Sequence, residues 1–168
     1  MAQKFQIEFE DMDHMHSFAV VSGTSRSRPF VELQQLLPSQ VDVIEPFVAR
    51  VKRFISKFRN QDGRESHIEM AVREALVNAV IHGNQEDPDK RVHVICRCSK
   101  DGEVSITIRD QGQGFDCRAL EDPTTPENVL STRERGIYLM QALMDDVCFD
   151  EGGTVVRMRK QPAQRRPQ

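Results

Sequence analysis

The chain has 168 residues, a formal net charge of −3, 38% hydrophobic and 29% charged residues, which is enough for one domain with a real core. It has no global basic field to hold nucleic acid, and its apolar runs fall far short of the ~20 residues a membrane span needs. No signal peptide is recognised before the domain, so the expected address is cytoplasmic, with no direct nucleic-acid or membrane contact.

Residues 1–29 are expected to form an N-terminal arm and linker. Phe5, Ile7 and Phe9 alternate with polar residues and suit one short edge strand. The turn formers from Ser22 to Pro29 read as the linker. His14 and His16 near Asp11 and Asp13 are read as a solvated arm in preference to a metal site. A first strand is expected from Phe30, closed by Pro38. Asp42 with Glu45 reads as a capping box for the next helix, whose first turn tolerates Pro46. Ile44, Phe47, Val48, Val51, Phe54, Ile55 and Phe58 then recur every three or four residues, with Arg50, Lys52, Arg53 and Lys57 on the outer face.

After a polar loop, Ile68, Ala71, Val72, Ala75, Leu76 and Ala79 mark a second amphipathic helix, opened by a Ser66/Glu69 capping box and ended by Gly83 and Pro88. On this helix Glu74, Asn78 and His82 are spaced one turn apart on one face. By itself such a face is most simply a solvated surface. Val92, Val94, Cys96 and Cys98 alternate toward an Asp101-Gly102 turn, and Val104, Ile106 and Ile108 return to Asp110. Cys96 and Cys98 share a strand face and, with Cys117 and Cys148, lack metal-ligand spacing, so small buried hydrophobes are expected. The polar, proline-containing stretch from Cys117 to Arg135 reads as a functional lid. A helix from Gly136 to Met144, with methionines as core filler, a closing hairpin to Met158 and a disordered tail over 161–168 complete the chain. Grouped helices and hairpin strands together predict an α+β fold, a two-layer α/β sandwich.

Asp110-Gln-Gly112-Gln-Gly114-Phe115 adds chemistry to this outline. A strand-end Asp can accept a hydrogen bond from an exocyclic amine, and glycines admit a flat base close to the backbone. Glu74-x-x-x-Asn78-Ala-x-x-His82, the Asp110 glycine motif and Arg135-Gly136-Ile-Tyr-Leu-Met resemble the N box and the two glycine boxes of the Bergerat-fold ATPases, the family of gyrase, heat-shock chaperones, histidine kinases and mismatch-repair ATPases. Gly153-Thr154 is similar to the family's closing Gly-Thr. The resemblance spans about residues 30–160 and is strongest to the bacterial anti-sigma factor serine kinases. It implies a mixed, mostly antiparallel sheet of the Bergerat ATP-binding type with helices on one face.

The resemblance also implies roles. Asn78 would hold Mg²⁺ against the phosphates of ATP, and Glu74 would be the catalytic base for a target serine. Asp110 would select adenine, Gly112 and Gly114 admit it, and Thr154 support the Asp110 contact. Gly136 would begin the phosphate-binding helix, and Arg135 or Arg133 would reach the γ-phosphate. His82 would either join the nucleotide site or pack at the helix end. One departure is Glu134, which stands where the family usually has a further glycine and opposes phosphate binding unless it points outward. The implied function is an ATP-dependent serine/threonine-protein kinase and anti-sigma factor. Its implied partners are a STAS-domain anti-anti-sigma protein and a sigma factor, and its relatives suggest a homodimer. The alternative is a non-catalytic regulatory module that acts only by binding proteins. A detached histidine-kinase domain is disfavoured, because no heptads precede residue 30.

Overall fold

Alternation of buried and part-exposed residues along the central strands sets the sheet, and three- or four-residue spacing sets the helices that cover it. The computed structural model describes residues 30–58, 63–116 and 132–162, together with the backbone of two strands before them. The strands are β1 (Gln6–Ile7), β2 (Phe18–Ser22), β3 (Phe30–Pro38), β4 (Arg91–Ser99), β5 (Val104–Arg109), β6 (Asp146–Asp150) and β7 (Val155–Lys160). The helices are α1 (Ile44–Phe58), α2 (Glu65–Val77) and α3 (Thr132–Leu143). The sheet runs β1-β2-β3-β4-β5-β7-β6, and each pairing is antiparallel.

The two-layer α+β expectation is met, and the mostly antiparallel sheet implied by the resemblance has every described pairing antiparallel. Val92, Val94, Cys96 and Cys98 on β4 and Val104, Ile106 and Ile108 on β5 are buried toward the helices. They meet the apolar stripes of α1 and α2, including Phe47, Val51, Ile68, Val72 and Leu76, in one core. Cys96 and Cys98 are buried free thiols as expected, whereas Cys148 on β6 is exposed. Met140 and Met144 are buried core residues. The region expected to be an arm contributes β1 and β2 to the sheet. β2 carries none of the strict alternation by which the sequence marked its other strands, and it pairs residue for residue with β3 from Phe18 opposite Gln34 to Ser22 opposite Phe30.

Both expected capping boxes are absent. A 3₁₀ turn over Val41–Val43, with Gln40 before it, leads into α1, and no side chain caps that turn. Asp42 therefore lies inside the turn instead of preceding a helix. At α2 the residue before the helix is Arg64, again without a side-chain cap. Because α2 starts at Glu65, Ser66 is already a helical residue and cannot serve as the cap. Ion pairs tie the two helices instead: Arg73 donates to both Glu45 oxygens at 2.6 and 2.9 Å, and Lys52 meets Glu69 at 2.8 Å. The Arg73 bond holds the Glu45 carboxyl below its usual range. The His14/His16 cluster, the linker over 23–29, the stretch over 117–131 and residues 163–168 lie outside the described residues.

No helix among the described residues is long and apolar enough to cross a membrane. Stability should therefore come mainly from the shared core, with little from the solvent-exposed ion pairs. Leu76, at 0% exposure, should cost about 2–5 kcal/mol when changed to Ala. Lys52→Ala should cost less than about 1 kcal/mol. Chemical denaturation of both variants checks the ranking.

Candidate functional site

The geometry of the site begins where α2 ends. After Val77 the helix widens into a π-helical turn over Asn78–Gly83, with the Asn84 amide reaching back to the Ala79 carbonyl at 2.8 Å and Glu86 to Val80 at 2.9 Å. Such widened turns are uncommon and recur at functional sites. Gln85 and Glu86 then adopt left-handed backbone angles, φ 59° and 54°, a strained exit for residues with side chains. The turn drives the helix end into the end of β5. A Cβ on Gly83 would lie 2.5 Å from the Asp110 Cγ, so only glycine lets the helix approach the carboxylate this closely.

Asn84, fully buried, locks that approach. Its Oδ1 accepts the Gln111 amide at 2.7 Å and its Nδ2 donates to the Arg91 carbonyl at 3.1 Å. Asp110 is oriented by its own loop, with Oδ1 accepting the Gly112 amide at 2.8 Å. Its backbone amide donates to the Thr154 carbonyl at 3.0 Å. Thr154 thus supports Asp110 through its backbone, while its hydroxyl donates to the Glu151 carbonyl at 3.0 Å. Burial pushes the Asp110 carboxyl above its usual range, against the Gly112 hydrogen bond and the charges of Arg133 and Lys90. Gly114, at φ 73°, packs against the Gly152 carbonyl, and the Phe115 amide donates to that carbonyl at 2.7 Å.

These elements form an open cleft lined by Asn78, Ala79, Asp110, Phe115, Arg133 and Gly153 among others. Glu74 lies one turn before Asn78, and both side chains abut α3 at Gly136. A Cβ on Gly136 would stand 2.8 Å from Glu74 Oε2 and 3.4 Å from Asn78 Nδ2. Asn78 and Asp110 therefore share one cleft, with Glu74 beside Asn78. Nδ2 of Asn78 is buried without a hydrogen-bond partner among the described residues, an unmet demand worth about 1–3 kcal/mol that a ligand could satisfy.

Three placements differ from the sequence reading. Gly136 does not begin α3, which starts at Thr132. Thr132-Arg-Glu-Arg135 contains no glycine and continues the helix toward its N-terminus, so Gly136 serves close packing instead. Arg135 is exposed, with its guanidinium 3.4 Å from the Thr132 hydroxyl. Arg133 turns into the cleft, its guanidinium carbon 3.9 Å from the centre of the Phe115 ring. His82 is half-buried, and burial, aided by the Arg133 charge, holds its imidazole below the usual range and uncharged at neutral pH. Glu134 is half-buried on α3. The sequence reading missed the stacking of Arg133 on Phe115 and the lock formed by Asn84. An Asn directly after the helix-ending glycine was the available signal for the second.

The donor set suits a nucleotide with a hard cation. Glu74 and Asn78 offer oxygen ligands, and no group of three or more His, Cys, Asp or Glu that could hold a metal ion occurs among the described residues. An ion such as Mg²⁺ commonly takes one or two protein oxygens and completes its shell with phosphates and water.

The chain belongs to the histidine kinase-like ATPase domain family, whose sequence profile matches residues 37–160. Within that class it is similar to the anti-sigma F factor of Heyndrickxia coagulans, 34% identical over 116 residues that cover 66% of this chain and 79% of the relative. The anti-sigma F factor of Bacillus subtilis (strain 168) is 34% identical over 117 residues, 66% of this chain and 78% of the relative. Serine-protein kinase RsbW of Staphylococcus epidermidis is 34% identical over 98 residues, 54% of this chain and 62% of the relative.

Because the folded Asp110 carboxyl has a raised pKa, its ionised form costs stability at neutral pH, and the cost fades as pH falls through the raised value. Asp110→Asn should therefore melt above the wild-type protein at pH 7, with the gap closing toward pH 4. Differential scanning calorimetry across that range checks it; a gap that stays constant contradicts the assignment.

Proposed function

We propose that this chain is an ATP-dependent serine/threonine-protein kinase and anti-sigma factor that phosphorylates a STAS-domain anti-anti-sigma protein and sequesters a sigma factor. The observation that carries the reading is the shared cleft of Asn78 and Asp110 with Glu74 beside it. The names of the similar proteins, anti-sigma F factor and serine-protein kinase, support the same activity. Residues 30–160 carry the ATPase chemistry in this reading, with 1–29 and 161–168 accessory to it. The protein works in the cytoplasm, where a sigma factor would be met, and as a homodimer.

Asp110 would accept the adenine amine, with Gly112 and Gly114 leaving room for the ring and Thr154 holding the Asp110 backbone. Asn78 would present its side-chain oxygen to Mg²⁺, and Glu74 stands close enough to orient what approaches Asn78. When bound, Mg²⁺ would neutralise charge on the phosphates. The serine hydroxyl oxygen bonds to the γ-phosphorus, the bond from that phosphorus to the β–γ bridging oxygen breaks, and ADP leaves. Glu74 takes the hydroxyl proton. Gly136, Arg135 and His82 would border the phosphate side, where a neutral imidazole can donate or accept a hydrogen bond.

A second reading, a nucleotide-binding regulatory module without catalysis, draws support from Arg133, which occupies part of the cleft. Transfer of radiolabelled γ-phosphate from ATP to a cognate STAS protein separates the two. The kinase reading expects a phosphoserine on the partner, and expects Glu74→Gln to lower transfer about 10²–10⁴-fold with ATP affinity little changed. Absence of any transfer by the wild-type protein would leave only the module.

A further inference from the structure

We propose that Arg133 is a built-in competitor for the base: in the free protein its guanidinium lies on the Phe115 face where adenine would stack, so nucleotide must displace it. The proposal rests on the Asp110 base-site reading given above, puts the base on the neighbouring Phe115 face of the same cleft, and adds a control to it. At 3.9 Å from the ring centre the guanidinium is in direct contact with Phe115, and no planar group fits between them. Arg133 also lines the same cleft as Asp110 and Asn78.

The guanidinium resembles the ligand it would keep out. It is flat, it stacks on aromatic faces and it carries N–H donors at its edge; adenine offers a flat ring and an amine donor to the same pair, Phe115 and Asp110. Yet Arg133 is not locked there. Its buried Nε has no hydrogen-bond partner among the described residues, so stacking and the nearby Asp110 charge hold it. Burial lowers the Arg133 pKa, with Asp110 working against the loss.

Its position in α3 makes release cheap. Arg133 is the second residue of the helix, which starts at Thr132, in the turn whose amides lack helical partners. Gly136, three residues on, is clamped against Glu74 and Asn78. A side-chain rotation, or fraying of the first turn, would free the Phe115 face without disturbing that clamp or the core. Affinity for nucleotide would then be set by the contest between base and guanidinium, and a partner that draws Arg133 outward would raise it.

The test is isothermal titration of the full chain with adenosine, which lacks phosphates for a guanidinium to hold, and with ATP·Mg²⁺. Wild type, Arg133→Ala and Arg133→Lys are compared, with thermal melts to confirm that each is folded. Adenosine should bind Arg133→Ala roughly two- to thirty-fold more tightly than wild type, the range expected from losing a cation–π competitor. Arg133→Lys, which keeps the charge but loses the planar face, should fall between them. Unchanged or weaker adenosine binding by Arg133→Ala, with wild type still binding, overturns the competitor and leaves the base site standing. If all three proteins bind neither ligand at millimolar concentration, the base site and the competitor are lost together.

Discussion

The molecule depends on one junction, where the end of the central helix is pressed against the end of a central strand. Gly83 lies against the Asp110 carboxylate, and the buried Asn84 side chain bonds to both Gln111 and Arg91. Neither contact is large in area. Together they bring a carboxylate that would recognise a base and a carboxamide that would recognise a metal phosphate into one cleft. A buried carboxamide with both ends bonded also fixes register, since any slip would leave polar atoms orphaned at a cost of about 1–3 kcal/mol each.

The price of this arrangement is local instability. A half-buried carboxyl with a raised pKa, an Asn78 amide with no partner among the described residues and two left-handed residues at the helix exit all oppose folding. The apolar core beneath offsets them. Val80, inside the π-helical turn that leads to this strained exit, and Ile108, two residues before Asp110, are fully or almost fully buried. Precise placement of polar groups is possible because the elements that carry them are anchored by buried, closely packed side chains.

Much of this was legible in the chain itself, because its signals are local. Three- and four-residue spacing marked α1 and α2, and strict alternation marked β4 and β5, since both patterns follow directly from burying one face. The glycine motif after β5 identified the cleft, and the glycine at 136 its neighbour. Features that depend on tertiary context were not legible. The widening of α2 into a π-helical turn has no propensity signature, as Asn78–Gly83 would fit an ordinary helix. The helix starts at Gln40–Ile44 and Arg64 use backbone geometry where Asp42 and Ser66 suggested side-chain caps. α3 starts four residues before the glycine that the sequence suggests as its opening, because that glycine is there for its packing against Glu74 and Asn78. Arg133 was visible as a charge near the phosphates, but only the fold reveals that it turns toward Phe115.

The central claim, that one end of the cleft takes the base and the other the metal-bound phosphates, is tested most directly by dividing the ligand. Affinities of Asp110→Ala and Asn78→Ala for adenosine and for ATP·Mg²⁺ should split. Loss of Asp110 should weaken both ligands, whereas loss of Asn78 should weaken ATP·Mg²⁺ and leave adenosine unchanged. Equal effects of Asn78→Ala on both ligands, or adenosine binding indifferent to Asp110, would contradict it.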